Sequence, residues 1–173
     1  TAVTYEGLIN IAEHTRIEPV SKEQFTQEQM ETFSNLQREK AKKSVKLDQQ
    51  AVEECQKILK DFFEAMTAWE KYVSEKGFED EEVKPRLLDI WERYVSEKPR
   101  LGYRPLALSY SPTGTYSQEV FIDAEQLTKN KIYIYTKTKN TGFERRFLMK
   151  RVDESWKIDA LQERLDGWQR SGL

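Results

Sequence analysis

This 173-residue chain has one cysteine, one histidine and no long apolar run. Cys55 cannot form an internal bridge, so a disulfide scaffold is excluded, and the usage leans towards a reducing compartment. Cys55 sits in an apolar helical stripe and reads as a small buried residue rather than a reactive thiol. No stretch of about 18 apolar residues exists, which excludes a membrane-spanning helix within this sequence. The only histidine, His14, falls in an irregular segment and reads as a surface residue. There is no paired-cysteine or histidine cluster for a metal, no GxSxG, no GxGxxG and no P-loop. Neither a metal nor a cofactor is expected. The chain begins at Thr1 without a methionine, which leaves a removed leader, a tag or an upstream region open.

What is present is charge, unevenly divided. The formal charge of −2 is the balance of zero over residues 1–46, −6 over 47–98 and +4 over 99–173. The middle of the chain reads as acidic helices and the end as a basic sheet. The two parts attract each other mildly, or the acidic part meets a basic partner.

From Asp48, a natural N-cap, Ala51, Cys55, Ile58, Phe62, Met66 (or Ala65), Trp69 and Tyr72 recur at steps of three and four. Val52, Leu59, Phe63 and Val73 widen the stripe, which predicts an amphipathic helix of about seven turns ending at Gly77. About ten large side chains lie on this face, each contributing roughly 1.5 to 3 kcal/mol if fully buried, so the helix should be a main wall of the core. A Schellman stop at Gly77 would pack Phe78 back on Val73. A second helix is expected to start at Pro85 and run to Pro99, since proline suits the first helical position. Upstream, Ser21 to Gln24 has the form of a capping box, and Phe25, Met30, Phe33 and Leu36 predict a thinly amphipathic helix over about 22–43.

Trp69 to Lys76 and Trp91 to Lys98 agree at seven of eight positions. Two copies are too few for a solenoid, so they read as two helix ends packing on the sheet in similar ways. Strands are expected at Leu106 to Tyr110, Gln118 to Leu127 and Ile132 to Thr136. A long hairpin is expected over Phe143 to Leu161, with a three-residue turn at Asp153-Glu154-Ser155. The tail should fold back through Trp168. The whole predicts an α+β domain: two or three helices packed on a strongly bent antiparallel sheet of about five strands.

Asp123, Glu125, Asp159 and tyrosines 110, 116, 133 and 135 are the groups available for acid–base work inside such a sheet. A pocket carboxylate beside a tyrosine could support proton abstraction next to a carbonyl, as in a small-molecule isomerase or dehydratase. Arg145-Arg146 and Lys150-Arg151 are basic with aromatics nearby. A pI near 5.7 argues against a broad phosphate-tracking surface, so direct nucleic-acid binding is not expected, nor is membrane binding.

Several features together resemble the nuclear-transport-factor-2-fold immunity proteins of bacterial polymorphic toxin systems. They are Trp69 to Tyr72, Leu101-Gly102-Tyr103, Asn130 to Thr136, Thr141-Gly142-Phe143, Ser155-Trp156-Lys157-Ile158-Asp159 and Gly167-Trp168. The resemblance covers about residues 48–173. It implies a cone-like fold, an immunity domain over 47–173 with an N-terminal extension at 1–46, and a cytoplasmic bacterial setting. It also implies a non-enzymatic role: binding a cognate toxin domain and blocking it. Two surfaces are candidates for that contact. Glu75, Glu79, Asp80, Glu81 and Glu82 form the densest set of carboxylates and could occupy a basic cleft on the toxin. The competing surface is the open face or mouth of the sheet, with Tyr110, Tyr133, Tyr135, Arg145 and Arg146.

Overall fold

A computed structural model of the protein describes residues 45–100 and 102–173. The expected helix over 22–43, its capping box and His14 lie outside the described residues. Helix α1 (Gln49–Lys76) opens as its sequence predicts: the Asp48 carboxylate accepts from the amides of Gln50 and Ala51 at 3.1 and 3.3 Å. Such a cap satisfies two of the orphan donors of the first turn. Its buried face carries the expected stripe, and also a residue the periodicity does not mark, Glu70.

The helix stops at Gly77, whose φ of +81° favours glycine, with one bond from its amide to Val73 O at 2.8 Å. The expected return of Phe78 onto Val73 does not occur. With ψ at 166° the chain leaves extended, and the exposed Phe78 ring meets Tyr110 edge-on at 5.3 Å.

Helix α2 (Val83–Tyr94) starts two residues before Pro85. Proline at the third helical position is tolerated because that amide has no intrahelical acceptor. Val83 is fully buried and its carbonyl accepts from the Trp69 indole at 2.7 Å, which fixes the earlier start. The helix also ends well short of Pro99. Val95 turns extended (φ −107°, ψ 138°), bridges Ile158 in parallel, and the Ser96 amide donates to Ile158 O at 2.9 Å. The twin octapeptides therefore diverge: the first is helical throughout and the second only over Trp91–Tyr94. Pro99 disfavours helical geometry at Lys98. Beyond that, Ser96 and Lys98 find a partner in Asp159 at 2.6 Å each, whereas the equivalent Ser74 and Lys76 lie in solvent.

Five strands follow: β1 (Glu119–Thr128), β2 (Lys131–Thr138), β3 (Glu144–Val152), β4 (Ser155–Arg164) and β5 (Trp168–Ser171). They form one antiparallel sheet in sequential order. The long hairpin is β3–β4. Its turn has two residues rather than three: Val152 pairs with Ser155, and Asp153 and Glu154 both take positive φ, the geometry that matches strand twist in two-residue hairpins. The expected strand at Leu106–Tyr110 is absent. There the amides of Leu106 and Ala107 fold back on Tyr103 O in a turn, and the following loop is pulled onto α1 by Glu70. The buried Glu70 carboxylate accepts from the Ser111 amide at 3.3 Å, the Thr115 amide at 2.6 Å and the Thr115 hydroxyl, and pairs with Arg104 at 3.3 Å. The fifth strand is instead the tail, through the expected return of Trp168.

α1 and α2 pack on one face of the sheet. Phe62, Leu59 and Met66 are fully buried with Ile132, Ile134, Phe147, Met149 and Ile158. Phe62 is ringed by Trp91, Tyr94 and Tyr116 at centroid distances of 6.0, 6.1 and 5.4 Å. Cys55 is buried as expected, and burial pushes its thiol pKa up to about 12. Bulges at Phe121/Asp123, Gln126/Thr128 and Leu148/Met149 bend the strands around this core.

Candidate functional site

Side chains alternate along a strand, so the fate of β2 and β3 residues follows from parity. Ile132, Ile134 and Thr136 point at the helices and are fully buried. Tyr133 and Tyr135 therefore point the other way, opposite Leu148 and Arg146 on β3, and Arg146 in turn faces Gln162 on β4.

On this outer face Tyr133, Tyr135, Arg146 and Trp168 form one cluster. The Arg146 guanidinium lies 4.2 Å from the Tyr133 ring and 4.5 Å from the Trp168 ring, with Tyr135 at 6.0 Å. Arg146 donates through Nε to Gln162 Oε1 at 2.5 Å and through Nη1 to the Tyr135 hydroxyl at 3.3 Å. Tyr135 donates onward to Glu125 at 2.7 Å, and its ring meets Trp168 edge-on at 5.5 Å. Partial burial and the bond to Glu125 push the Tyr135 hydroxyl above its ordinary pKa and keep it a donor. A guanidinium packed on aromatic rings keeps its charge and loses conformational freedom in advance.

The face around the cluster is basic. Arg146 shares it with Lys131, Lys137, Lys150, Arg164 and Arg170, against Asp123, Glu125 and Glu144. Glu144 is paired with Arg164 at 2.6 Å.

Other residues expected at a contact surface lie elsewhere. Arg145 faces inward, where it pairs with Glu119 and, at 3.2 Å, with Glu163. Tyr110 sits in the loop before β1, against Phe78. The acidic loop is partly committed to its own fold. Asp80 accepts from the Tyr72 hydroxyl at 2.8 Å and the Glu82 amide at 3.0 Å, and the Tyr72 bond holds its carboxyl below the ordinary value. Glu82 lies 3.6 Å from Arg86. Glu75, Glu79 and Glu81 are exposed, with no ion pair among the described residues.

A family model described as NTF2 fold immunity protein matches residues 54–172. The chain belongs to this immunity-protein family. No curated protein and no solved structure matches it significantly. The match runs from the first turns of α1 to the end of the sheet, so it includes the whole outer face.

Of the acid–base groups, Glu125 and Tyr135 meet at 2.7 Å on the outer face, while Tyr116 and Asp159 are held inside the fold. Tyr116 is enclosed in the core, where burial pushes its pKa up to about 12. Burial opposes charge on Asp159, yet the hydrogen bonds from Lys98 and Ser96 outweigh it and hold the carboxyl below its ordinary value. Neither group lines either of two surface grooves formed by the described residues. One groove, of about 730 Å³, is floored by Trp91, Val95 and Tyr103; the other, of about 530 Å³, is lined by hydroxyls of the Ser111–Ser117 loop and by Thr138 and Thr141. Among the described residues no cluster of three or more ligating side chains could hold a metal.

No local sequence pattern marks Trp168 or Gln162 as members of the cluster. Parity along β2 and β3 carries the signal for Tyr133, Tyr135 and Arg146. Trp168 joins them only through the pairing of β5 with β4, four residues long and preceded by no strong strand pattern.

Proposed function

We propose that this protein binds a cognate toxin domain in the bacterial cytoplasm and blocks it, docking through the outer sheet face centred on Arg146. The observation that supports this is the cluster itself: two tyrosines, a tryptophan and an arginine gathered on the face of the sheet that, among the described residues, α1 and α2 leave open. Tyr, Trp and Arg are the residues most often found at the energetic centre of protein interfaces. Pre-ordered side chains also lower the entropy lost on association. Blocking by occlusion needs no chemistry from the immunity protein, which accords with the enclosure of Tyr116 and Asp159 inside the fold.

Residues 47–173 would suffice for this role, with 1–46 an extension outside the binding domain. The exposed Glu79 and Glu81 are the competing contact, suited to a basic cleft. Survival of cells producing the cognate toxin, recovered from the native host, separates the two. Cells carrying Trp168→Ala should lose protection while those carrying Glu79→Gln with Glu81→Gln keep it. The reverse pattern would assign the contact to the acidic loop.

A further inference from the structure

We infer that the toxin surface seated on this face is acidic and delivers a carboxylate to Arg146, an inference that rests on the docking reading above. Arg146 has no carboxylate within 4 Å among the described residues, whereas its neighbour Arg145 has two. Its protein partners are neutral: Gln162 on Nε and Tyr135 on Nη1, with Nη2 unengaged among the described residues. A half-buried guanidinium held between two rings has lost part of its hydration without gaining a counter-charge. Its planar fork matches a carboxylate, and the fixed orientation removes the ordering cost of forming that pair.

The setting agrees with an acidic protein rather than a polyanionic strand. Apart from Lys157, whose ammonium turns to the Glu92 and Arg93 carbonyls of α2, basic side chains outnumber acidic ones on this face by six to three. Yet Asp123 and Glu125 border the cluster on the β1 side and would oppose a continuous track of phosphates.

The test uses the full chain labelled with 15N, whose four tryptophans give separate indole cross-peaks, that of Trp168 being assigned with Trp168→Phe. Probes are octaglutamate, octalysine and a twelve-residue oligodeoxythymidine. Octaglutamate should move the Trp168 indole and Arg146 Nε signals and leave the Trp69, Trp91 and Trp156 indoles in place. The effect should vanish in 1 M salt, where the screening length falls to about 3 Å. With the toxin itself, Arg146→Ala should weaken binding by about 30-fold or more, and Arg146→Lys should recover only part of that. Tighter binding of oligodeoxythymidine than of octaglutamate at the cluster, or self-association of the free protein through it, would overturn the inference. So would a toxin affinity that depends on Trp168 but is indifferent to salt, a result that leaves the docking reading standing. If the toxin ignores both the Trp168 and Arg146 variants, the docking reading itself falls and this inference with it.

Discussion

Arg145 and Arg146 are adjacent in β3 and face opposite ways. The first is enclosed with Glu119, whose side chain is fully buried, and with Glu163. The second is held by aromatic rings and neutral acceptors on the open face. Arg145 finds its counter-charges within the chain, as Glu70 does with Arg104 and Asp159 with Lys98. The outer face holds Arg146 prepared and, among the described residues, without a counter-charge. The contrast separates residues that hold the fold from residues available to a partner.

The sharpest way to break the comparison is to truncate each arginine in turn. Arg145→Ala leaves Glu119 buried without its counter-charge and should cost about 3–5 kcal/mol in equilibrium unfolding. A loss below about 1 kcal/mol would mean the inner pairs do not hold the fold. Phe62→Ala tests the apolar side of the same face: deleting a fully buried ring at the junction of both helices should also cost about 3–5 kcal/mol.

Asp159→Asn should cost less, about 1–3 kcal/mol near neutral pH, by weakening the bonds from Lys98 and Ser96. The folded protein holds the Asp159 carboxyl below its ordinary value of 3.8, so the proton binds more weakly folded than unfolded. The stabilisation is complete above that value and is lost as pH falls through and below it. The difference between parent and Asp159→Asn should therefore shrink on acidification, and a difference that grows would contradict this role. The smallest effect belongs to the outer face: Arg146→Ala and Trp168→Ala should each change stability by less than about 1 kcal/mol, as surface changes do. A larger loss would show that the cluster is structural.

The inner face is largely legible in the sequence, because a strong 3.6-residue stripe on α1 and the alternation of β2 and β3 each specify one buried side. Polar burial is where that reading fails. Glu70 and Glu92 occupy the same position in twin octapeptides, yet Glu70 is buried under the loop it anchors and Glu92 is exposed. Arg104 and the loop at Ser111–Thr115, 34 to 45 residues away in sequence, make the difference. The early end of α2 has the same origin, since Val95 and Ser96 are drawn off the helix by β4. The candidate site was half visible: Tyr133, Tyr135 and Arg146 follow from parity, while Trp168 reaches them through a long-range pairing and Arg145 is turned inward by carboxylates that local pattern does not reveal.

The most direct measurement is the dissociation constant for the cognate toxin, by calorimetry, of the parent and of variants first shown to be folded. The account predicts that Trp168→Ala and Arg146→Ala each weaken binding by about 2 kcal/mol or more, as residues at the centre of an interface do, while Glu79→Gln with Glu81→Gln leaves it within a factor of about three. Unchanged affinity in both outer-face variants, with a large loss in the paired amide variant, would contradict it.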